Sequence, residues 1–115
     1  MATSIGRQAE KIAKQFLKNQ GLKFIESNFY SRMGEIDLIM QESDTLIFIE
    51  VRYRKNTAHG SPLETITPSK QNKIRITAES YLGKHKLNNV DCRFDTVGLS
   101  GNIASPAVDW IKNAF

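Results

Sequence analysis

The sequence predicts an α/β fold with the element order α-β-β-β-α-β, in which a small mixed sheet is flanked by helices. Three observations support this class: apolar residues recur at helical spacing in two segments, runs rich in Ile, Val and Phe form strand-like segments, and turn residues separate those runs. The 115 residues fit a single domain, 1–115, which is large enough to bury a hydrophobic core.

Both helices are indicated by apolar spacing and by end signals. The first is expected at residues 4–19, with Gly21 as its C-terminal stop. Its apolar residues recur every three or four positions: Ile5, Ala9, Ile12, Ala13, Phe16 and Leu17. The second begins with Thr67 as the N-cap and Pro68 at the first helical position. Its apolar face carries Ile74, Ala78, Tyr81 and Leu82.

Four strands are predicted from β-branched and aromatic residues bounded by turn residues. They cover residues 22–30, 34–41, 44–54 and 90–100. The turn "SRMG" precedes the second strand, and "ESD" predicts a hairpin between the second and third. The loop 55–66 shows no regular pattern. For the last segment, "PAVDWIKNAF", a short helix and a strand both remain open, and either would pack Trp110 and Phe115.

The composition argues against a membrane-spanning protein and against a protein held together by internal disulfides. The longest purely apolar run is "LIFI", residues 46–49, whereas a membrane-spanning helix needs about 20 apolar residues. The single cysteine, Cys92, cannot form an internal disulfide and is expected to be a buried strand residue. The N-terminal segment lacks the apolar core of a secretion signal, so a reducing, cytoplasmic location is expected.

Charge is distributed unevenly along the chain. Residues 1–50 carry six Lys/Arg against seven Asp/Glu, whereas residues 51–86 carry eight against two. A basic segment directly after two acid-bearing strands indicates a polyanion approaching a carboxylate site. A solvated basic face is the alternative that charge alone leaves open.

Two predicted strands carry an acid among apolar residues. Strict alternation places Asp37 on the strand face opposite to Ile36 and Leu38, while Glu50 shares a face with Arg52 on the next strand. If the hairpin brings the two acids together, they repel each other, and burial increases that repulsion. A divalent cation would relieve it, because Mg²⁺ takes carboxylate oxygens, water and phosphate as ligands. The alternative is a salt bridge from Asp37 to an arginine of the neighbouring strand, Arg52 or Arg54.

Other ionisable residues give weaker signals. Glu10 lies beside the apolar stripe of the first helix and supplies either a third acid or a solvated boundary residue. Asp95, in "RFD", is expected to pair with Arg93. His59 and His85 have no partners at zinc-ligand spacing, so both are predicted to be surface residues.

Several motifs together resemble the YraN-type family of uncharacterised bacterial proteins. They are the acid of the first helix, "GEIDLI", "FIEVRYR", "SPLETITPSKQNKI", "RFD" and the terminal "WIKNAF". The resemblance covers nearly the whole chain. It implies a restriction-endonuclease-like (PD-(D/E)XK) fold, similar in layout to archaeal Holliday-junction resolvases, and a homodimer acting on structured DNA.

The resemblance also implies a metal site. In this superfamily an acid on one strand is followed by Glu-x-Lys on the next, and Asp37 and Glu50 match the two acids. By that match, Asp37 and Glu50 would ligate Mg²⁺ or Mn²⁺ with help from the Val51 carbonyl. Glu10 matches the acid that many members place on the first helix, where it would orient water or a second ion.

The chain departs from the signature at Arg52, where the superfamily has lysine. Arginine stays protonated and cannot act as a base, but it can stabilise charge on the scissile phosphate. Lys70, in the first turn of the second helix, is the candidate for the displaced lysine. The cations expected to contact nucleic-acid phosphates are Arg54, Lys55, Lys70 and Lys73.

Three functions therefore compete at the level of sequence. One is a metal-dependent nuclease or resolvase-like enzyme, which the set of three acids favours. The second is a nucleic-acid-binding module of the same fold without turnover, which Arg52 favours. The third is an accessory protein that uses its charged segments to bind another protein.

Overall fold

A computed structural model describes residues 3–58 and 60–115. His59 therefore lies outside the described residues. In chain order the elements are α1 (Ser4–Asn19), β1 (Lys23–Ser31), β2 (Gly34–Glu42), β3 (Thr45–Arg54), a 3-10 helix (Pro62–Thr65), α2 (Pro68–Lys84), β4 (Asp91–Ser100) and β5 (Ala107–Ile111).

The five strands form one mixed sheet in the order β1-β2-β3-β4-β5. Strands β1, β2 and β3 pair antiparallel, β3 and β4 pair parallel, and β5 returns antiparallel to β4. The parallel pair requires a long crossover, which α2 supplies. The predicted α/β class, a small mixed sheet flanked by helices, is confirmed. The last segment forms β5, and one turn of 3-10 helix lies within the loop 55–66.

The C-terminal end of α1 and the start of α2 follow the predicted signals, and α1 also has an N-cap. Thr3 caps α1 by accepting a hydrogen bond from the Gly6 amide at 2.9 Å. Gly21 takes the left-handed conformation (φ +97°), which lets the Leu22 amide reach back to the Leu17 carbonyl at 3.0 Å. At α2, the Thr67 hydroxyl accepts from the Lys70 amide at 3.3 Å, which fixes the turn that carries Lys70.

Each face of the sheet is covered by one helix. Ala9, Ala13 and Leu17 of α1 pack on one face in a core with Leu38, Met40, Ile47, Ile49, Val51, Val97 and Leu99. Ile74, Ala78 and Tyr81 of α2 pack on the other with Phe29, Ile36, Ile39, Leu46 and Phe48. No helix among the described residues is long and apolar enough to cross a membrane.

The predicted burial of Cys92 and the predicted exposure of His85 have opposite outcomes. Cys92 was expected to be buried, and that is wrong: it is exposed, because the first two residues of β4 lie at an uncovered end of the sheet. His85 is exposed as predicted, and the centre of its ring lies 4.3 Å from the centre of the Tyr81 ring.

The C-terminal segment is tied to the sheet by one buried carboxylate. Asp95 is fully buried and accepts from Arg93 Nε and Nη2 at 2.8 and 2.9 Å, as the sequence predicted. It also accepts from Trp110 Nε1 at 3.0 Å and from the Asn113 amide at 2.9 Å. A further hydrogen bond joins Arg93 Nη1 to Glu42 at 2.8 Å and lowers the pKa of that carboxyl. This network is therefore structural, and it explains why the last segment forms a strand.

Candidate functional site

The candidate site lies where β2 and β3 separate. Their ladder runs as far as the pair Leu38↔Ile49. Beyond it Asp37, only 2% exposed, turns its carboxylate towards β3, and its Oδ2 accepts from the Val51 amide at 2.8 Å. The Asp37 carboxylate thus accepts the hydrogen bond that a backbone carbonyl of β2 would accept in a continuous ladder. This leaves a gap in the sheet beside the buried acid.

The prediction that side chains alternate strictly along β2 is wrong at this point. Ile36 was placed on the same face as Leu38, but it packs with Phe29 and Ile39 against α2, while Leu38 packs against α1. The alternation of side chains along β2 is therefore interrupted next to Asp37, and this lets the aspartate side chain point into the gap.

Glu50 brings a second acid to the same point. It is 8% exposed and forms a hydrogen bond with Asp37. Burial, followed by that hydrogen bond and the charge of Asp37, raises the pKa of Glu50 to about 9, against the opposing effects of Arg52 and Lys70. Without a cation, the two carboxyl groups are therefore held together by a shared proton.

Three cations surround the acid pair. Arg52 Nη2 lies 3.7 Å from Glu50 Oε2, an ion pair within β3, whereas the salt bridge considered from the sequence joined Asp37 to Arg52 or Arg54. Within residues 3–58 and 60–115, the buried Nε of Arg52 has no hydrogen-bond partner. Lys70 and Lys73 approach from the first two turns of α2. All five side chains line one pocket of about 280 Å³.

The other predicted site residues lie apart from this pocket. Glu10, 7% exposed, lines a second pocket of about 260 Å³ beside α1, where it accepts from Asn28 Nδ2 at 3.1 Å. Arg54 ends β3, its carbonyl accepting from the Gly101 amide, and Lys55 is exposed in the loop that follows. Their predicted roles, a catalytic acid and two phosphate contacts, stay predictions.

The donor set of the first pocket fits a hard divalent cation. Over the described ranges, 3–58 and 60–115, no three acidic, histidine or cysteine side chains form a group that could hold a metal. Asp37 and Glu50 nevertheless supply two carboxylates. The Val51 carbonyl points to the same side of β3 as its amide, towards Asp37, because both backbone groups of a strand residue face one neighbour. Two carboxylates, one carbonyl and water match the preference of Mg²⁺ or Mn²⁺ for oxygen.

Two residues of the β1–β2 hairpin, Asn28 and Tyr30, were missed from the sequence, and both form hydrogen bonds with Glu35. Asn28 takes the left-handed conformation (φ 54°), which asparagine tolerates better than most residues, and its side chain bonds both Glu10 and Glu35. Glu35 also accepts from the Tyr30 hydroxyl, which raises the pKa of that phenol. An asparagine inside a strand pattern was the available signal, because strands are depleted in it.

Comparison with known proteins shows the family. The sequence model described as "Uncharacterised protein family UPF0102" matches residues 9–99, which include both strands of the acid pair. The chain belongs to this family. The match also confirms the resemblance to the YraN-type proteins.

Members of UPF0102 align over nearly their full length. A UPF0102 protein of Colwellia psychrerythraea is 49% identical, covering 99% of this chain and 90% of the relative. A UPF0102 protein of Vibrio vulnificus is 46% identical over 97% and 92%, and one of Coxiella burnetii is 47% identical over 100% and 94%. These relatives carry the family description as their name.

The raised pKa of Glu50 predicts how stability depends on pH. The unfolded carboxyl loses its proton near pH 4.5, whereas the folded one keeps it up to about pH 9. Between these values the folded chain binds more protons, so the free energy of unfolding should fall with rising pH, by about 1 kcal/mol per pH unit for one proton. The measurement is urea denaturation at several pH values, in buffer with a chelator.

Glu50→Gln should flatten this dependence, because glutamine cannot be deprotonated. Glu79→Gln, the same change at an exposed position of α2, serves as the control and should keep the slope. Equal slopes for the two variants would contradict the shared proton.

Proposed function

We propose that this protein is a metal-dependent phosphodiester hydrolase that acts on structured DNA. The observation that carries the proposal is the buried Asp37–Glu50 pair facing Arg52, Lys70 and Lys73 in one pocket. Carboxylates that share a proton in a pocket lined with cations suit a site for a metal ion and a phosphate together. Asp37, Glu50 and the Val51 carbonyl would hold Mg²⁺ or Mn²⁺.

Each residue of the pocket has a task in that reaction. A bound Mg²⁺ or Mn²⁺ supplies charge neutralisation at the phosphate and activates a water molecule. Asp37 is anchored by the Val51 amide, so its carboxylate is already oriented before substrate arrives. Arg52 has a planar fork and an Nε without a hydrogen-bond partner among the described residues, which suit two oxygens of the scissile phosphate. Lys70 supplies the ammonium group, and Lys73 contacts a neighbouring phosphate.

The resemblance to restriction-endonuclease-like proteins supports the same reaction. The order of the elements agrees with that layout, and the acid of β2 and the glutamate of β3 occupy adjacent strands. A homodimer would present two such pockets, one for each strand of a duplex, as in symmetric cutting.

A nucleic-acid-binding module without turnover is the second candidate. The observation that favours it is Arg52, which holds a position given to lysine in the superfamily signature. Such a module would use the same cations to bind phosphates, but it would gain nothing from two buried acids whose repulsion is relieved only by a proton or a cation.

The testing experiment has two readouts, binding of the ion and cleavage. Millimolar Mn²⁺ should raise the melting temperature of the unmutated protein, because a ligand that binds only the folded state stabilises it. In the same buffer the protein should cut plasmid, flap or four-way-junction DNA. Glu50→Gln should lose both effects, and Glu79→Gln should keep both.

The two readouts separate the candidates. Stabilisation by Mn²⁺ together with cutting supports the hydrolase. A melting temperature that Mn²⁺ leaves unchanged, with no cutting beyond that of Glu50→Gln, would contradict it. Salt-dependent DNA binding in that case would favour the binding module.

A further inference from the structure

The exposed side of α1 carries a row of positive charge that the proposed reaction does not use. The four basic residues of the helix are Arg7, Lys11, Lys14 and Lys18. Their spacing of four, three and four residues places them within a sector of about 60° at 100° per residue. The acid of this helix, Glu10, is buried and bonded to Asn28. We call these four basic residues the α1 basic row.

The α1 basic row continues into the candidate site across β1. Three of its members, with Glu10 and Asn28, line the second pocket. The Asn28 side chain also bonds Glu35, which lines the first pocket. One hydrogen-bonded asparagine therefore lies between the two pockets, one on the α1 face of the sheet and one on the α2 face.

An exposed aromatic ring lies along this path. Tyr30 is 68% exposed, although its hydroxyl is bonded to Glu35 at the mouth of the first pocket. A tyrosine held by its hydroxyl while its ring faces solvent is suited to stacking on an unpaired base. Bases inside a duplex are already stacked on each other, so the ring can serve only a single strand.

We propose that Tyr30 and the α1 basic row bind a single-stranded arm that leaves the candidate site. This inference rests on the proposed action on nucleic acid and names the substrate class: DNA in which a duplex adjoins a single strand. The row extends for 11 residues, which is about 16 Å at 1.5 Å per residue. A stacked strand advances 3.4 Å along its axis per nucleotide, so at most about five phosphates fit along the row.

The test measures what the arm adds to binding. Two probes share one duplex, and one of them carries a single-stranded arm of about ten nucleotides, which exceeds the length of the row. Binding is measured with a chelator present, so that no cutting occurs. We expect the arm to strengthen binding of the unmutated protein by at least about tenfold, because stacking of one base and the phosphate contacts of the α1 basic row both contribute.

The variants separate charge from stacking. Lys11→Gln/Lys18→Gln should lose most of the gain and lower the salt slope for the armed probe by about 1.4, whereas Lys84→Gln/Lys86→Gln, at and just beyond the C-terminal end of α2, should keep the gain. Lys14 is left unchanged because it lies 4.2 Å from the Phe24 ring centre. Tyr30→Leu should lose the gain, and Tyr30→Phe, which keeps the ring, should retain it.

Two results would overturn this inference: equal binding of the two probes by the unmutated protein, or equal gains for the α1 variant and the α2 control. Its failure is distinguishable from that of the proposed function. If the protein cuts DNA but gains no affinity from the arm, only the inference about the arm is contradicted. A gain from the arm without any cutting supports the arm site and counts against hydrolysis.

Discussion

Asp95→Asn should lower the free energy of unfolding by about 3–5 kcal/mol, the cost of breaking a buried charge pair. Asp95 Oδ1 accepts from Arg93 Nε and the Asn113 amide, and Oδ2 accepts from Arg93 Nη2 and Trp110 Nε1. The amide group of asparagine would direct two N–H donors at two other donors. It would also leave Arg93, whose side chain is 18% exposed, without its main counter-charge.

Chemical denaturation followed by tryptophan fluorescence measures this loss directly. Trp110 is the single tryptophan of the chain and touches Asp95, so its emission reports on β5 itself. Asp109→Asn is the matched control, since Asp109 is exposed on β5, and it should change stability by less than about 0.5 kcal/mol. A midpoint for Asp95→Asn equal to that of the control would show that the network contributes little.

Most of the fold could be predicted because its signals are local. The end of α1 follows from Gly21, which takes the left-handed conformation, and the start of α2 follows from Thr67 and Pro68. Strand β5 could not be predicted, because its short sequence has no strong period. Its conformation depends on a carboxylate 15 residues away, at Asp95.

The candidate site was predictable in its chemistry but not in its geometry. An acid within an apolar strand is visible in sequence, and Asp37 and Glu50 do meet. That β2 and β3 separate beyond Leu38 is a property of the paired sheet, so alternation counted along one strand misplaced Ile36. The location of Glu10 in a second pocket depends on Asn28, whose left-handed backbone no residue pattern predicted.

Arginine in place of the signature lysine has a physical explanation in the pocket. The Arg52 guanidinium lies 3.7 Å from Glu50, and within the described part of the chain its buried Nε has no hydrogen-bond partner. Its charge opposes the rise in the pKa of Glu50, so it favours the ionised acid pair that a cation needs. Lys70 has the same effect from α2. Under the proposed function, two elements would thus share the work that the resemblance assigns to one lysine.

This division predicts different results for the two cations. Lys70→Ala should lower Mn²⁺-dependent cutting by about 10²–10³-fold, the usual cost of removing a group that stabilises transition-state charge, while most DNA binding remains. Arg52→Lys restores the signature and should keep or raise cutting, because an ammonium at the same point of β3 still faces the phosphate.

Lys73→Ala, one turn along α2, is the control: it should weaken binding of all sequences alike and flatten the salt dependence with little change in turnover. The measurement is single-turnover cutting at saturating protein alongside equilibrium binding. If Lys70→Ala and Lys73→Ala lose binding and cutting to the same extent, Lys70 is a phosphate contact only, and the lysine missing from β3 has no replacement on α2.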